Sequence, residues 1–112
     1  MKKEDESYFV KIIGELVFSE LDKFEKEVIS KIDKEPGNVF IDVSEVVFVD
    51  SSGLGALVKV YSKVRVKGLE FVLIGPNEEF KKILKITNLL DLLKICEDEV
   101  EAREYLKSSL TK

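Results

Sequence analysis

Phe71-Val72-Leu73-Ile74 is apolar at every position and lies between two stretches of helical period; no other feature limits the fold so strongly. A strand with one wet face alternates, whereas an unbroken apolar run belongs in the middle of a sheet covered on both sides. Sheets of that kind are parallel, and parallel neighbours need crossover helices. The rest of the chain supplies both. Tyr8 to Ile13, apolar except for Lys11, reads as a strand ending at Gly14. Ser19 with Asp22 reads as a capping box, opening a helix whose face is Leu21, Phe24, Val28, Ile29 and Ile32, and Pro36-Gly37 stops it. Val39 to Val43 is a second strand, Ser44-Glu45 a short turn, and Val46 to Val49 leads into a helix carrying Leu54, Leu57, Val58, Tyr61 and Val64, ended by Lys67-Gly68. After Phe71 to Ile74, Gly75-Pro76-Asn77 turns the chain into a third helix, with Asn77 as cap and Phe80, Ile83 and Leu84 inside. Leu92 to Ile95 reads as a short edge strand, and Glu97-Asp98-Glu99 opens a last helix reaching Ser108. The order predicts one α/β domain over residues 1–112: a mostly parallel sheet of four to five strands with four helices.

Composition excludes several functions. Acidic residues number 22 against 18 basic, a net charge of −4 without any basic block to follow a phosphate backbone, so nucleic acid is not an expected partner. Cys96, the single cysteine, sits beside Leu93 and Ile95 and reads as a buried structural thiol in a reducing compartment. No apolar stretch approaches the ~20 residues that span a bilayer, and Met1 to Glu6 leads into no signal core. A cytoplasmic protein without a membrane partner is expected. Charged residues, mostly Lys and Glu, make up 36%, and Gln and His are absent, the tendency of heat-adapted organisms.

The segment from Val46 to Gly55 joins a strand to a helix, where free N–H groups and the positive dipole end favour an anion. A capping Asp50 or Ser51 alone would account for such a junction. Here Asp50, Ser51 and Ser52 stand in a row, followed by Gly53 and Gly55, each of which gives up about 1 kcal/mol of helix propensity relative to Ala. Small residues in a first turn let another molecule approach, so the turn reads as a contact surface. Bulk at Gly53 or Gly55 is then expected to block a partner more than it harms folding. In parallel sheets the binding surface lies beyond the carboxyl ends of the strands, an edge shared here by the loops 14–19, 49–55 and 75–78. An enzyme is not expected: there is no His base, no Gly-x-Ser-x-Gly elbow around Ser52, no metal-ligand cluster and no Walker loop.

Phe48-Val49-Asp50-Ser51-Ser52-Gly53-Leu54-Gly55 resembles the signature of the bacterial anti-sigma factor antagonists of the STAS-domain family. The similarity extends to Gly14-Glu15-Leu16, Ile74-Gly75-Pro76 and Ile86-Thr87-Asn88-Leu89-Leu90. The resemblance implies a STAS-like fold and a protein that binds an anti-sigma factor with serine kinase activity while unphosphorylated, freeing a sigma factor. It implies inactivation by phosphorylation at the second serine of the motif, Ser52, and reversal by a phosphatase. Asp50, Ser51, Ser52, Gly53, Leu54 and Gly55, with Gly14, Leu16, Gly75 and Pro76, are the implied partner-binding residues. ATP and its magnesium would belong to the kinase, leaving this chain without cofactor or metal. An adaptor module of the same family, serving a larger signalling or lipid-transport assembly, is the alternative. The chain departs from the family pattern in two places: the strand that often precedes Tyr8 is shortened or missing, and Val17 stands where many relatives carry an acid. No acidic role passes to Val17, which leaves Asp50 as the nearby carboxylate.

Overall fold

The computed structural model describes the backbone of residues 2–4 and 7–110 and the side chains of residues 7–17 and 22–108. Nine elements follow in order: β1 (Lys2–Glu4), β2 (Ser7–Leu16), α1 (Phe18–Lys34), β3 (Asn38–Val49), α2 (Ser51–Val66), β4 (Phe71–Ile74), α3 (Glu78–Ile86), β5 (Lys94–Cys96) and α4 (Glu99–Leu110). The five strands lie side by side in chain order. β2 to β5 are mutually parallel, and β1 adds an antiparallel edge, pairing Lys2 with Phe9 and Glu4 with Ser7. The strand before Tyr8 is therefore present but only three residues long. Among the described residues no helix is long and apolar enough to cross a membrane.

Strands laid down in sequence, each joined to the next by a right-handed crossover, put every crossover helix on the same side of the sheet. The core shows this: Val28 and Ile32 of α1, Leu57, Val60 and Val64 of α2, and Phe80 and Leu84 of α3 pack with Tyr8, Val39, Ile41, Phe71 and Leu73. α4 follows the last strand and crosses nothing, so it is free to take the other face. There Ala102, Tyr105 and Leu106 cover Phe40, Val72, Ile74 and Cys96, with Phe9 stacked on Phe40 at 4.8 Å. β4 is thus covered on both sides, and all four of its residues are buried. Cys96 is buried as expected, and burial, with the Glu101 carboxylate nearby, pushes its thiol above the ordinary range.

α4 is too short to cover the whole second face. β3 pairs with β4 only from Val39–Phe71 to Asp42–Ile74, then continues to Val49 beside β2 alone. The turn expected at Ser44-Glu45 does not form. β3 runs straight through it, because two register shifts against β2, between Lys11 and Ile13 and between Gly14 and Glu15, each absorb one extra β3 residue. Gly14 accordingly does not end β2; it sits at the second shift with φ +96, a left-handed backbone open to glycine. The overhanging ribbon exposes side chains that a covered strand would bury: Ile13 is 69%, Val47 77% and Phe48 54% exposed, and Lys11 pairs with Glu45 beside them.

Helix ends follow local chemistry with one exception. Asn77 caps α3 through the Phe80 N–H (2.8 Å), and Asp98 does the same for α4 through Glu101 (2.8 Å). The Thr87-Asn88-Leu89 segment closes α3 as a Schellman motif: Asn88 is left-handed (φ 61), its N–H reaches the Lys85 carbonyl (3.1 Å), and the Leu89 N–H reaches Leu84 (2.8 Å). The exception is α1. It begins at Phe18 with Val17 as cap and no capping side chain, two residues ahead of the cap expected at Ser19; the side chains of Ser19 and Leu21 lie outside the described residues.

Candidate partner-binding site

The serine turn is built by three segments that meet at the end of the overhanging ribbon. β2 ends at Leu16, whose carbonyl accepts the Asp50 N–H (3.3 Å) and so ties the end of β2 to the start of α2. Asp50, in an extended conformation, caps α2: its Oδ1 accepts the Gly53 N–H at 2.9 Å, and its carbonyl accepts Leu54 at 3.1 Å. Asp50 is therefore the cap, and Ser51 is not. Both serines occupy the first turn with exposed side chains, and neither hydroxyl bonds to another described residue. The backbone N–H groups of this turn keep the anion preference of any helix start.

The two glycines have opposite roles. Gly53 is buried under the end of β2, and a Cβ built there would lie 2.1 Å from the Leu16 oxygen and 2.9 Å from its carbon. The strand packs directly on helix backbone at this point, so Gly53 serves the fold and its side-chain position never faces a partner. Gly55 faces water with nothing within 4 Å of a Cβ. A helix gains about 1 kcal/mol from Ala in place of an exposed Gly. Gly55→Ala is expected to raise the stability of the isolated chain by up to about that amount, or roughly 4 °C in melting temperature, measured by thermal unfolding.

The expected contact residues divide by depth. Ser51, Ser52 and Gly55 are exposed and Asp50 and Gly14 half-buried, whereas Leu16, Gly53 and Leu54 are buried and shape the surface from beneath. Gly75 and Pro76 are not part of the same patch. Gly75 (φ +68) packs beside Ser44, its N–H bonds the Cys96 carbonyl (2.8 Å), and Pro76 is buried. From Ser44, five further residues of β3 carry the chain about 16 Å to Val49. The link between the two regions is Asn77, whose Nδ2 donates to the Val46 carbonyl (3.3 Å). A groove of about 310 Å³ fills the gap, lined by Val46, Val47, Phe48 and Val49 on one side and by Asn77, Glu79, Phe80 and Ile83 on the other. Val47, Phe48 and Ile13 were not expected at the surface. No local signal marks them: the apolar run Val46 to Val49 has the pattern of a covered strand, and only the pairing of β3 with β4, which ends at Asp42, leaves it open.

The residues 1–102 match the family model of the STAS domain. A Thermotoga maritima protein named as a candidate anti-sigma factor antagonist is 32% identical over 76 residues, 68% of this chain and 67% of its own length. A crystal structure of such a candidate antagonist from the same organism superposes with a TM-score of 0.84 at 27% identity, covering 95% of this chain and 92% of that one. The fold is also that of the anti-sigma factor antagonist SpoIIAA. Its unphosphorylated form gives a TM-score of 0.78 at 16% identity (96% and 94% covered), and the phosphorylated Bacillus form gives 0.76 at 17% (95% and 96%).

Proposed function

The chain belongs to the STAS domain family, and from that premise we propose that it is an anti-sigma factor antagonist switched by phosphorylation of Ser52. One observation carries the reading: an exposed seryl hydroxyl, free of partners among the described residues, on the first turn of a helix already capped by its neighbour Asp50. A serine needed for capping would be held by the backbone; this one is available to another protein. Relatives named as antagonists, and a fold shared with SpoIIAA in both phosphorylation states, support the same role.

In the unphosphorylated state Ser52, Ser51 and Gly55 meet the anti-sigma factor, with Ile13, Val47 and Phe48 as an apolar flank. The partner so occupied releases its sigma factor. Phosphorylation transfers the γ-phosphoryl group of kinase-bound ATP to the Ser52 oxygen, leaving ADP. The modified side chain gains about −1.5 to −2 charges beside Asp50, which breaks the contact by desolvation and like-charge repulsion. The helix start partly stabilises the phosphate within the chain, so the fold survives modification. A phosphatase restores the binding state.

The test is direct. The anti-sigma factor is recovered by pull-down from the source cell and incubated with the chain and ATP, and the modified residue is mapped by mass spectrometry. Phosphate on Ser52, lost in Ser52→Ala, is expected. Labelling confined to Ser51, or undiminished in Ser52→Ala, rejects the assignment.

A further inference from the structure

α2 is unlike the rest of this acidic chain. From Ser51 to Val66 it holds no acid, and with the following Lys67 it carries Lys59, Lys63, Arg65 and Lys67, in a protein of net charge −4. Basic residues in a last turn complement the helix dipole, and Lys63 and Arg65 serve that purpose here. The dipole does not explain their arrangement along the helix. At 100° per residue, Ser52, Lys59 and Lys63 fall on one edge of the solvent face, Gly55, Ser62 and Val66 on its midline, and Ser51, Val58 and Arg65 on the other edge. The strip therefore runs from the serine turn down the length of the helix.

Its charges are unequally committed. Arg65 is held by Glu70 (3.3 Å) and the Leu69 carbonyl (3.1 Å), and Lys59 by Glu25 of α1 (3.3 Å). Lys63 and Lys67 make no ion pair with another described residue. Between them Val66 is 86% exposed, and a groove of about 480 Å³ runs along Val58, Lys59, Ser62, Lys63, Val66 and Lys67. One acid, Asp33 of α1, lines its wall. An apolar floor with an excess of unpaired ammonium groups suits an acidic amphipathic segment, which sets apolar side chains on Val58 and Val66 and carboxylates on Lys63 and Lys67.

We infer that the outer face of α2 is a docking track for an acidic segment of the protein that engages Ser52. The inference deepens the proposed function and rests on it for the identity of that protein, while the chemistry of the track rests on α2 alone. Docking there would hold the partner along the helix axis and present Ser52 at one end, so that recognition and modification use two ends of one element.

Two arms test the track. In the first, the full chain is titrated with a fluorescein-labelled 18-residue peptide of Glu and Leu at helical spacing, followed by anisotropy and by amide shifts of the ¹⁵N-labelled protein. Binding that moves Val58, Ser62, Lys63 and Val66, weakens with salt and drops about tenfold in Lys63→Glu/Lys67→Glu is expected. No binding at millimolar peptide, equal binding of a Lys-for-Glu peptide, or shifts away from α2 overturns the track. So does binding to phosphatidylglycerol vesicles when the peptide is silent, which would make the strip a membrane contact. In the second arm the recovered anti-sigma factor is titrated with wild type, Ser52→Asp and the double lysine variant, each checked by thermal melt. Loss in Ser52→Asp without loss in the folded lysine variant overturns the track and keeps the switch. An anti-sigma factor that ignores wild type rejects the switch, and the peptide arm still decides the track.

Discussion

Gly53→Ala will cost the chain far more stability than any comparable change in the serine turn. The added methyl would stand 2.1 Å from the Leu16 oxygen, and the neighbour is backbone that cannot rotate away. That carbonyl also accepts the Asp50 N–H, so moving it loosens the joint between β2 and α2 as well. Forcing bulk into a filled site costs about 1–3 kcal/mol, and a rigid neighbour places this case at the upper end. Against a total of about 5–15 kcal/mol that is a large loss, and Gly53→Val will lose more. Urea unfolding of Gly53→Ala beside Gly55→Ala checks it, since the two changes should move the midpoint in opposite directions. Equal midpoints would mean that the β2–α2 joint yields. The expectation that bulk at Gly53 blocks a partner more than it harms folding is therefore corrected, and the binding test passes to Gly55 alone.

Ser52→Asp should show the largest effect on binding with almost none on the fold. If charge is the switch, a carboxylate at Ser52 enters the contact unpaired, beside the Asp50 carboxylate already engaged by the Gly53 N–H. Leaving a charge uncompensated in an interface costs a few kcal/mol; about 3 kcal/mol corresponds to roughly a hundredfold in Kd. Phosphate should be stronger, having nearly twice the charge. In the isolated chain the same carboxylate lies at a helix start, worth about 0.3–1 kcal/mol in favour of the fold. Calorimetric titration against the anti-sigma factor, paired with thermal melts, should therefore show affinity falling while stability holds or rises. Wild-type affinity in Ser52→Asp would reject the charge switch, and Ser52→Ala should bind as wild type.

Where short-range chemistry decides, the sequence was readable. Asn77 as cap and Gly68 after α2 depend on neighbours within a few residues, and Phe71 to Ile74 declares its double burial by an unbroken apolar run; each is found as expected. What could not be read depends on contacts between distant segments. The Ser44-Glu45 pair has turn character, but pairing with β2 keeps the strand intact by shifting register. Ser19 has the pattern of a cap, but β2 ends at Leu16, bonded to Asp50, and α1 starts at Phe18 with Val17 as its cap. Gly53 and Gly55 look equivalent in the motif and differ only because Leu16 lies over one of them. Likewise the periodicity marks Val47 and Phe48 as strand without revealing that β4 stops short of them.

The side-by-side order of the strands bears on how the chain reaches its native state. Each strand pairs with its predecessor, so no pairing waits for a distant segment to return, and contact order stays low for a parallel sheet. The domain can grow outward from β2 and β3, whose pairing is the longest, with α1 and α2 docking as they form. The opposite edge, β5 and α4, is held by three residue pairs with β4, by Ile95 packed on the main core, and by the second cluster that reaches Phe40 and Phe9. Local opening of this edge would uncover Phe40 and Val72 but leave the pairing of β2 with β3 in place. The serine turn belongs wholly to the part formed by β2, β3 and α2, so transient opening at the carboxyl end of the chain leaves it intact.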